Sequence, residues 1–256
     1  MTVYEQDGHD LRLEWGYDGV RALGPHCAVL VVVDVLVFTT TVDVALGRGG
    51  RVLPLPWHDE RAARAAEAAG ATLTPSGLTV DGTRVGADRR PGWSLRPSSL
   101  VDLQTGTFLA ITSPNGATLC AAGAETGATV LAGCLRNASA VAEAAVELAG
   151  GRPVGIVPAG ERWRDTEDRR LRPSTEDWLG AAAVAAAIRA TSPSAEVVLA
   201  ATTFRAAGDR VPDLVAGSVS GRELTEAGLA DDVALASDVD SSTVVPMLAD
   251  GVLVAA

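Results

Sequence analysis

The sequence predicts an α/β fold in which three layers, α/β/α, are built around a largely parallel or mixed sheet. Short apolar runs alternate along the chain with polar loops and alanine-rich segments, which is typical of strands followed by covering helices. Aromatic residues make up only 4% of the chain and apolar residues 47%, so the core must rest on Ala, Val and Leu. The 256 residues suit a single domain over 1–256, with two lobes of about 1–127 and 128–256 as the other arrangement.

The predicted elements follow one another in a regular order. The first strand, at 28–33, ends at Asp34 and leads into a threonine-rich helix that runs through Leu46. Further strands are predicted at 51–55, 108–112, 129–132 and 154–158, with a closing strand near 252–254. Helices are predicted at about 59–69 and at 117–124, 138–149, 175–190 and 213–224. Between 70 and 100 the chain is rich in Gly, Pro and Ser, and Asp81-Gly82 predicts a hairpin turn there.

The net charge and the residue types exclude several classes of function. A net charge of −11 provides no basic face for nucleic acid or for an anionic membrane surface, so neither is expected as a partner. The chain contains no lysine, which excludes a Walker phosphate loop and lysine Schiff-base chemistry. The first residues show no signal peptide, and the longest apolar stretch, 179–188, is too short to span a bilayer. We therefore expect a cytoplasmic protein.

Polar residues stand at four predicted junctions between a strand or loop and the helix that follows. These junctions carry Thr39 and Thr40, then Asn115 and Gly116, then Asn137 and Ser139, and finally the segment 174–177. Ligands collect beyond the carboxyl ends of parallel strands, and the N–H groups of a helix N-terminus can hold a phosphate without lysine. Any one of these residues can equally be an ordinary helix cap. Four junctions at one sheet edge nevertheless predict at least one ligand site.

Three carboxylates are the candidates for catalysis or metal binding. Asp34 ends a run of five apolar residues, where a carboxylate is costly unless a metal ion or a donor offsets it. It is therefore a candidate ligand for Mg²⁺, with a cap on the following turn as the other interpretation. Asp177 lies three residues after Ser174, the spacing of a capping box, which favours a structural role. Glu176 would point elsewhere and is the freer ligand.

The arginine-rich loop at 160–173 admits two interpretations. It could clamp an anion through bidentate contacts, or it could be a solvated loop whose charges pair with one another.

A haloacid-dehalogenase-type phosphatase, with Asp34 as its nucleophile, is a second enzyme hypothesis. Those enzymes use another Asp two residues later as acid and base. Leu36 occupies that position here, so the leaving group would have no obvious proton donor.

Several segments together resemble the 2-phosphosulfolactate phosphatase family, in family order and over about residues 28–250. They are Val33-Asp34-Val35-Leu36 with Thr39-Thr40-Thr41, Ser113-Pro114-Asn115-Gly116, the run from Gly133 to Ala142, Pro158-Ala159-Gly160-Glu161, Glu176-Asp177-Trp178-Leu179 and Val244-Val245-Pro246.

The resemblance implies a magnesium-dependent α/β phosphatase that acts on a phosphate ester beside an acid group. Asp34 would be the first metal ligand, with Glu176 or Asp177 as a second carboxylate, and these three are the candidate catalytic residues. Phosphate or substrate would be bound by Thr39, Thr40, Asn115, Gly116, Arg136, Asn137 and Ser139. The family habit also implies a possible homodimer.

The sequence departs from the family pattern at one position that concerns the substrate. The family has an arginine directly after Asp-Val-Leu, whereas this chain has Val37. An anionic group recognised by that arginine would lose its partner, unless Arg136 or one of the arginines at 162–172 replaces it. A related phosphorylated hydroxy acid is therefore as plausible a substrate as 2-phosphosulfolactate. A catalytically silent anion-binding or regulatory protein on the same fold is the hypothesis from another functional class.

Overall fold

The computed structural model describes residues 3–75, 93–163, 166 and 168–256. One large sheet contains β1 (Leu11–Leu13), β2 (Val29–Val33), β3 (Arg51–Leu55), β4 (Thr72–Leu73), β5 (Phe108–Thr112), β6 (Thr129–Gly133), β7 (Val154–Pro158), β10 (Pro246–Ala249) and β11 (Val252–Ala255). A separate two-stranded ribbon consists of β8 (Glu161–Arg162) and β9 (Leu171–Arg172). The predicted hairpin at Asp81-Gly82 lies outside the described residues.

Helices follow most of the strands. They are α1 (Gly16–Leu23), α2 (Phe38–Gly47), α3 (Glu60–Ala69), α4 (Gly116–Ala124), α5 (Ala138–Ala149), α6 (Thr175–Ala187), α7 (Ala195–Ala207), α8 (Val211–Gly217), α9 (Val219–Glu226) and α10 (Ala230–Ala236). The α/β prediction is confirmed. Two boundaries were wrong: the helix predicted at 175–190 ends at Ala187, and the helix predicted at 213–224 is two helices separated at Ser218, whose side chain caps the second.

The sheet is mixed, and its order is β1-β7-β2-β6-β10-β11-β3-β5-β4. The first four strands in this order are parallel to one another, as are the last three. The hairpin β10–β11 joins the two groups through three antiparallel pairings, so β5 runs opposite to β2. The loop after β5 nevertheless reaches the carboxyl end of β2, because the Gly116 N–H lies 2.8 Å from Oδ2 of Asp34. The carboxyl ends of the two groups therefore converge.

Strand β2 lies at the centre of the core, and all five of its residues are buried. Val29, Val31 and Val33 belong to one apolar cluster, which includes α5 and α6, whereas Leu30 and Val32 belong to another, which includes α2 and α4. Successive side chains of a strand point to opposite faces of the sheet. The division of the β2 residues between two clusters therefore means that helices cover both faces of the sheet. The three-layer prediction is therefore confirmed.

Small residues bring α6 against the end of β2. At Gly180 a Cβ atom would come within 2.8 Å of Val33 Cγ1, so only glycine permits this approach. The helix buries Ala181, Ala182 and Ala183 beside it. This close packing holds the first turn of α6, which carries Glu176, at the carboxyl end of β2.

Among the described helices, we find none with the length and apolar character required to cross a bilayer.

Candidate functional site

Asp34 lies directly after β2 and is held by the beginnings of two helices. Its Oδ2 accepts hydrogen bonds from the Gly116 N–H (2.8 Å) and the Ser113 hydroxyl (3.5 Å), and its Oδ1 accepts one from the Phe38 N–H (3.3 Å). The side chain is buried. The pKa of Asp34 is raised from 3.8 to about 6, chiefly by burial; the charge of Glu176 acts in the same direction, while the backbone donors act in the opposite direction. The carboxylate is thus fixed in place but electrostatically costly.

Asp177 joins three segments of the chain. Its Oδ1 accepts from the Val35 N–H (2.7 Å), and its Oδ2 accepts from the Gly160 N–H (2.8 Å) and the Ser174 hydroxyl (2.9 Å). Three donors for one buried carboxylate tie the loops after β2 and β7 to the start of α6. Burial raises the pKa of Asp177 well above 3.8, with the charges of Asp34 and Glu176 as further causes. The spacing from Ser174 predicted a structural role for Asp177, and in the structure Asp177 binds backbone N–H groups that are distant in sequence.

Two buried oxygen atoms beside Asp34 have no hydrogen-bond partner among the residues that the structure describes. They are Oε2 of Glu176 and Oδ1 of Asn115. The Glu176 side chain is only 1% exposed, and its charge acts on the pKa of Asp34. Buried polar atoms in folded proteins are almost always paired. These two unpaired hard oxygens, which lie beside the Asp34 carboxylate, are therefore candidate ligands for a cation.

Glu161 is a fourth carboxylate of the site, and it was not among the residues predicted from the sequence. Its Oε2 accepts a hydrogen bond from the Asn115 amide (3.3 Å). The pKa of Glu161 is raised from 4.5 to about 7, chiefly by burial and also by the charges of Asp34 and Glu176. The residue lies in a quoted family segment, but a glutamate at the start of a mixed-charge loop carries no local signal for such a role.

The site fits a magnesium ion that keeps most of its water. Within the described parts of the chain, we find no set of three or more His, Cys, Asp or Glu side chains arranged to enclose a metal. Mg²⁺ does not need such a set, because it commonly takes one or two carboxylates and completes its shell with water and substrate phosphate. Asp34 and Glu176 would supply those carboxylates, and the unpaired Asn115 Oδ1 is a third oxygen of the right kind.

Thr39 and Thr40, the other residues predicted at the first junction, form side-chain hydrogen bonds with the backbone directly after β2. The Thr39 hydroxyl donates to the Asp34 carbonyl (2.7 Å) and accepts from the Asp34 N–H (3.0 Å). The Thr40 hydroxyl donates to the Val35 carbonyl (2.8 Å). Both side chains are fully buried. They shape the turn that presents Asp34.

The junction after β6 forms a separate polar network. Arg136 Nε donates to Asp43 (2.9 Å), and its Nη1 donates to the Leu235 carbonyl (3.2 Å). Ser139 donates to Asp240 through its N–H and its hydroxyl, both at 2.8 Å. Asn137 Oδ1 accepts from the backbone N–H of Cys134 at 2.8 Å. In the described structure, the side chains of Arg136, Asn137 and Ser139 hydrogen-bond to these partners and not to the four carboxylates.

The position where the family has an arginine is apolar in structure as well as in sequence. Val37 is 3% exposed and packs into the core cluster on the α5 and α6 face of the sheet. The turn after β2 therefore has no positively charged side chain at this position.

Fold and site together define an α/β protein with an acidic centre where the ends of its strands converge, an arrangement suited to metal-assisted hydrolysis. The family model of 2-phosphosulpholactate phosphatase matches residues 22–251, which is nearly the whole chain. The chain belongs to this family, whose named activity is that of a phosphoric monoester hydrolase. The resemblance read from the sequence is confirmed.

Proposed function

We propose that the chain is a magnesium-dependent phosphatase that releases phosphate from a small phosphorylated hydroxy acid of the 2-phosphosulfolactate type. The observation that carries the proposal is the buried, unpaired Oε2 of Glu176 beside the Asp34 carboxylate. Neither the fold nor the sheet edge requires an unsatisfied acid there, and leaving one costs stability. A cation bound between the two carboxylates offsets that cost.

Each residue of the site has a distinct task in this proposal. Asp34 and Glu176 would hold magnesium, which when bound would supply positive charge for the phosphoryl oxygens and lower the pKa of a nucleophilic water. Asn115, whose amide nitrogen already donates to Glu161, would offer its unpaired side-chain oxygen as a further ligand. Gly116 fixes the Asp34 carboxylate through its N–H. Asp177 is a positioning residue, because its two oxygens are occupied by structural donors.

Phosphate release from a panel of phosphorylated hydroxy acids tests the proposal. The panel includes phosphosulfolactate and phospholactate, each assayed with magnesium and with a chelator. We expect chelator-sensitive release from at least one member. Asp34→Asn removes one negative charge at constant shape and should abolish this turnover, whereas the exposed Asp209 offers a matched control, Asp209→Asn, that should leave it unchanged.

The two rival hypotheses give different results in the same experiments. A covalent phosphoryl-Asp34 adduct, or a metal fluoride bound to Asp34 as its mimic, would favour the haloacid-dehalogenase-type mechanism. Tight binding of a phosphorylated acid without turnover at any magnesium concentration would favour the silent anion-binding protein. Full activity of Asp34→Asn would remove Asp34 from the site.

A further inference from the structure

The ribbon formed by β8 and β9 has one face directed at the acidic site. Its register places Glu161 opposite Arg172, and Arg162 opposite Leu171. Directly opposed residues of an antiparallel pair have their side chains on the same face, and neighbours along a strand alternate. Glu161 reaches the site, since its carboxylate accepts from the Asn115 amide. Arg172 therefore lies on the same face as Glu161, toward the site.

The opposite face of the ribbon is fixed by apolar packing. A Cβ atom at Gly160 would meet Leu171 Cδ1 at 2.8 Å, and one at Gly16 would meet it at 3.3 Å. Leu171 thus packs against the backbone at both glycines. Because the leucine is fixed on that face, the ribbon cannot turn over to carry Arg172 away from the carboxylates.

Arg172 is close to the acidic site without being paired to it. Its charge lowers the pKa of Glu161, against the larger effects that raise it. Within the described part of the chain, its side chain makes one hydrogen bond, from Nη2 to the Ser220 hydroxyl at 3.3 Å. Among the described residues, no carboxylate lies within ion-pair distance of it, whereas Arg96 and Arg136, which are also half-buried, are each bound to an aspartate at 2.9 Å. The guanidinium of Arg172 retains most of its five donors for another partner.

We propose that Arg172 binds the acid group of the substrate, the carboxylate or sulfonate that stands beside the phosphate ester. This inference rests on the proposed function and identifies what distinguishes its substrates. A substrate with two anionic groups, entering a protein of net charge −11, needs a local positive partner for each group. The guanidinium fork matches carboxylate and sulfonate oxygens in bidentate geometry. Arg172 lies beside Glu161 and not between Asp34 and Glu176, so it would contact the acid group of the substrate and not its phosphate.

Two substrates and two variants test this assignment. Phospholactate carries the acid group, and isopropyl phosphate is the same ester with a methyl group in its place. For Arg172→Gln, loss of a charge-assisted hydrogen-bond pair should raise KM for phospholactate by about 10- to 100-fold. Its kcat for phospholactate, and both constants for isopropyl phosphate, should stay near the wild-type values. Arg162→Gln, on the opposite face of the same ribbon, is the matched control and should change neither substrate's KM.

Equal KM increases for both esters, or no change for either, would overturn the assignment. Calorimetric binding of phospholactate in the presence of magnesium, to wild type and to both variants, separates this inference from the proposed function. If wild type binds phospholactate but turns over no ester, the phosphatase proposal fails, and weaker binding by Arg172→Gln alone still supports Arg172. If all three proteins bind phospholactate equally, Arg172 is not the acid-binding residue whatever the turnover.

Discussion

Replacing Gly116 with alanine should disable the site through a single methyl group. Gly116 begins α4, and its N–H donates to Asp34. A Cβ atom there would clash with Phe38 Cδ1 and would lie 2.8 Å from Asp34 Oδ2 and 3.0 Å from Asp34 Cβ. Neither neighbour can yield easily, since both side chains are buried. The added methyl group must therefore push the Asp34 carboxylate away from its position or shift the start of α4.

The magnitude follows from the size of this clash. Overpacking a close-packed region costs about 1–3 kcal/mol of unfolding free energy. A displacement of about 1 Å at a reacting group can cost about 100-fold in rate. We therefore expect Gly116→Ala to remain folded, to lose about 1–3 kcal/mol in urea denaturation, and to lose kcat by about two orders of magnitude in the phosphate-release assay.

A second glycine of the same helix provides the control. A Cβ atom at Gly123 would meet Val130 Cγ2 at 2.8 Å, an apolar side chain away from Asp34. Gly123→Ala should lose comparable stability and keep its kcat, and Gly217→Ala, where no atom lies within 4 Å, should lose neither. Alanine also gains up to about 1 kcal/mol over glycine within a helix, and this gain is shared by the controls. Wild-type kcat in Gly116→Ala would refute the claim that this contact fixes Asp34.

Further predictions concern the buried charges. Asp177→Asn places an amide donor against the N–H groups that Asp177 binds, so urea denaturation should show a loss of at least about 1–3 kcal/mol; unchanged stability would contradict its linking role. Because folding raises the pKa of Asp34 to about 6 and of Glu161 to about 7, their contribution to stability is present at low pH and is lost as pH rises through about 6–7. Magnesium should therefore raise Tm more at about pH 8 than at about pH 5, and equal shifts would argue against a cation at these acids. Arg136→Gln leaves Asp43 buried without its ion-pair partner, so it should cost about 3–5 kcal/mol of unfolding free energy with little change in KM; a raised KM at full stability would place Arg136 on the substrate.

The central strands could be predicted because buried parallel strands are short apolar runs bounded by loops. Three predicted strands coincide with β3, β5 and β7, namely those at 51–55, 108–112 and 154–158. Elements that lack this signal were not predicted. β1 is three residues long, and α7 exposes Val198 and Leu199, which weakens its periodicity. The Asp250-Gly251 turn of β10–β11, with positive φ at both residues, has the Asp-Gly pair typical of a hairpin, but it was not among the predicted elements.

The candidate site could be predicted only in part. Asp34 was identifiable because a carboxylate ends an apolar strand. Ser174 and Asp177 had capping spacing, yet in the structure the serine donates to the aspartate, and the aspartate binds backbone 17 and 142 residues away in sequence. Such partners leave no local trace. The same holds for the convergence of β2 and β5, which depends on a sheet whose two strand groups run in opposite directions.

The way this chain treats its other buried acids argues that the site is functional and not structural. Asp43 is held by Arg136 at 2.9 Å and by the Ser242 hydroxyl at 2.6 Å. Asp232 is held by Arg96 at 2.9 Å and by the Ser98 N–H at 2.8 Å.

Each of those structural acids thus has an arginine, which is the ordinary way to offset the cost of a buried charge. Across the described residues, none of Asp34, Glu161, Glu176 or Asp177 has an ion-pair partner, and the charges of Asp34 and Glu176 raise the pKa of both Glu161 and Asp177. A chain able to pair its structural acids leaves these four together and unpaired. These acids therefore lack a paired positive charge, which the proposed magnesium ion would supply.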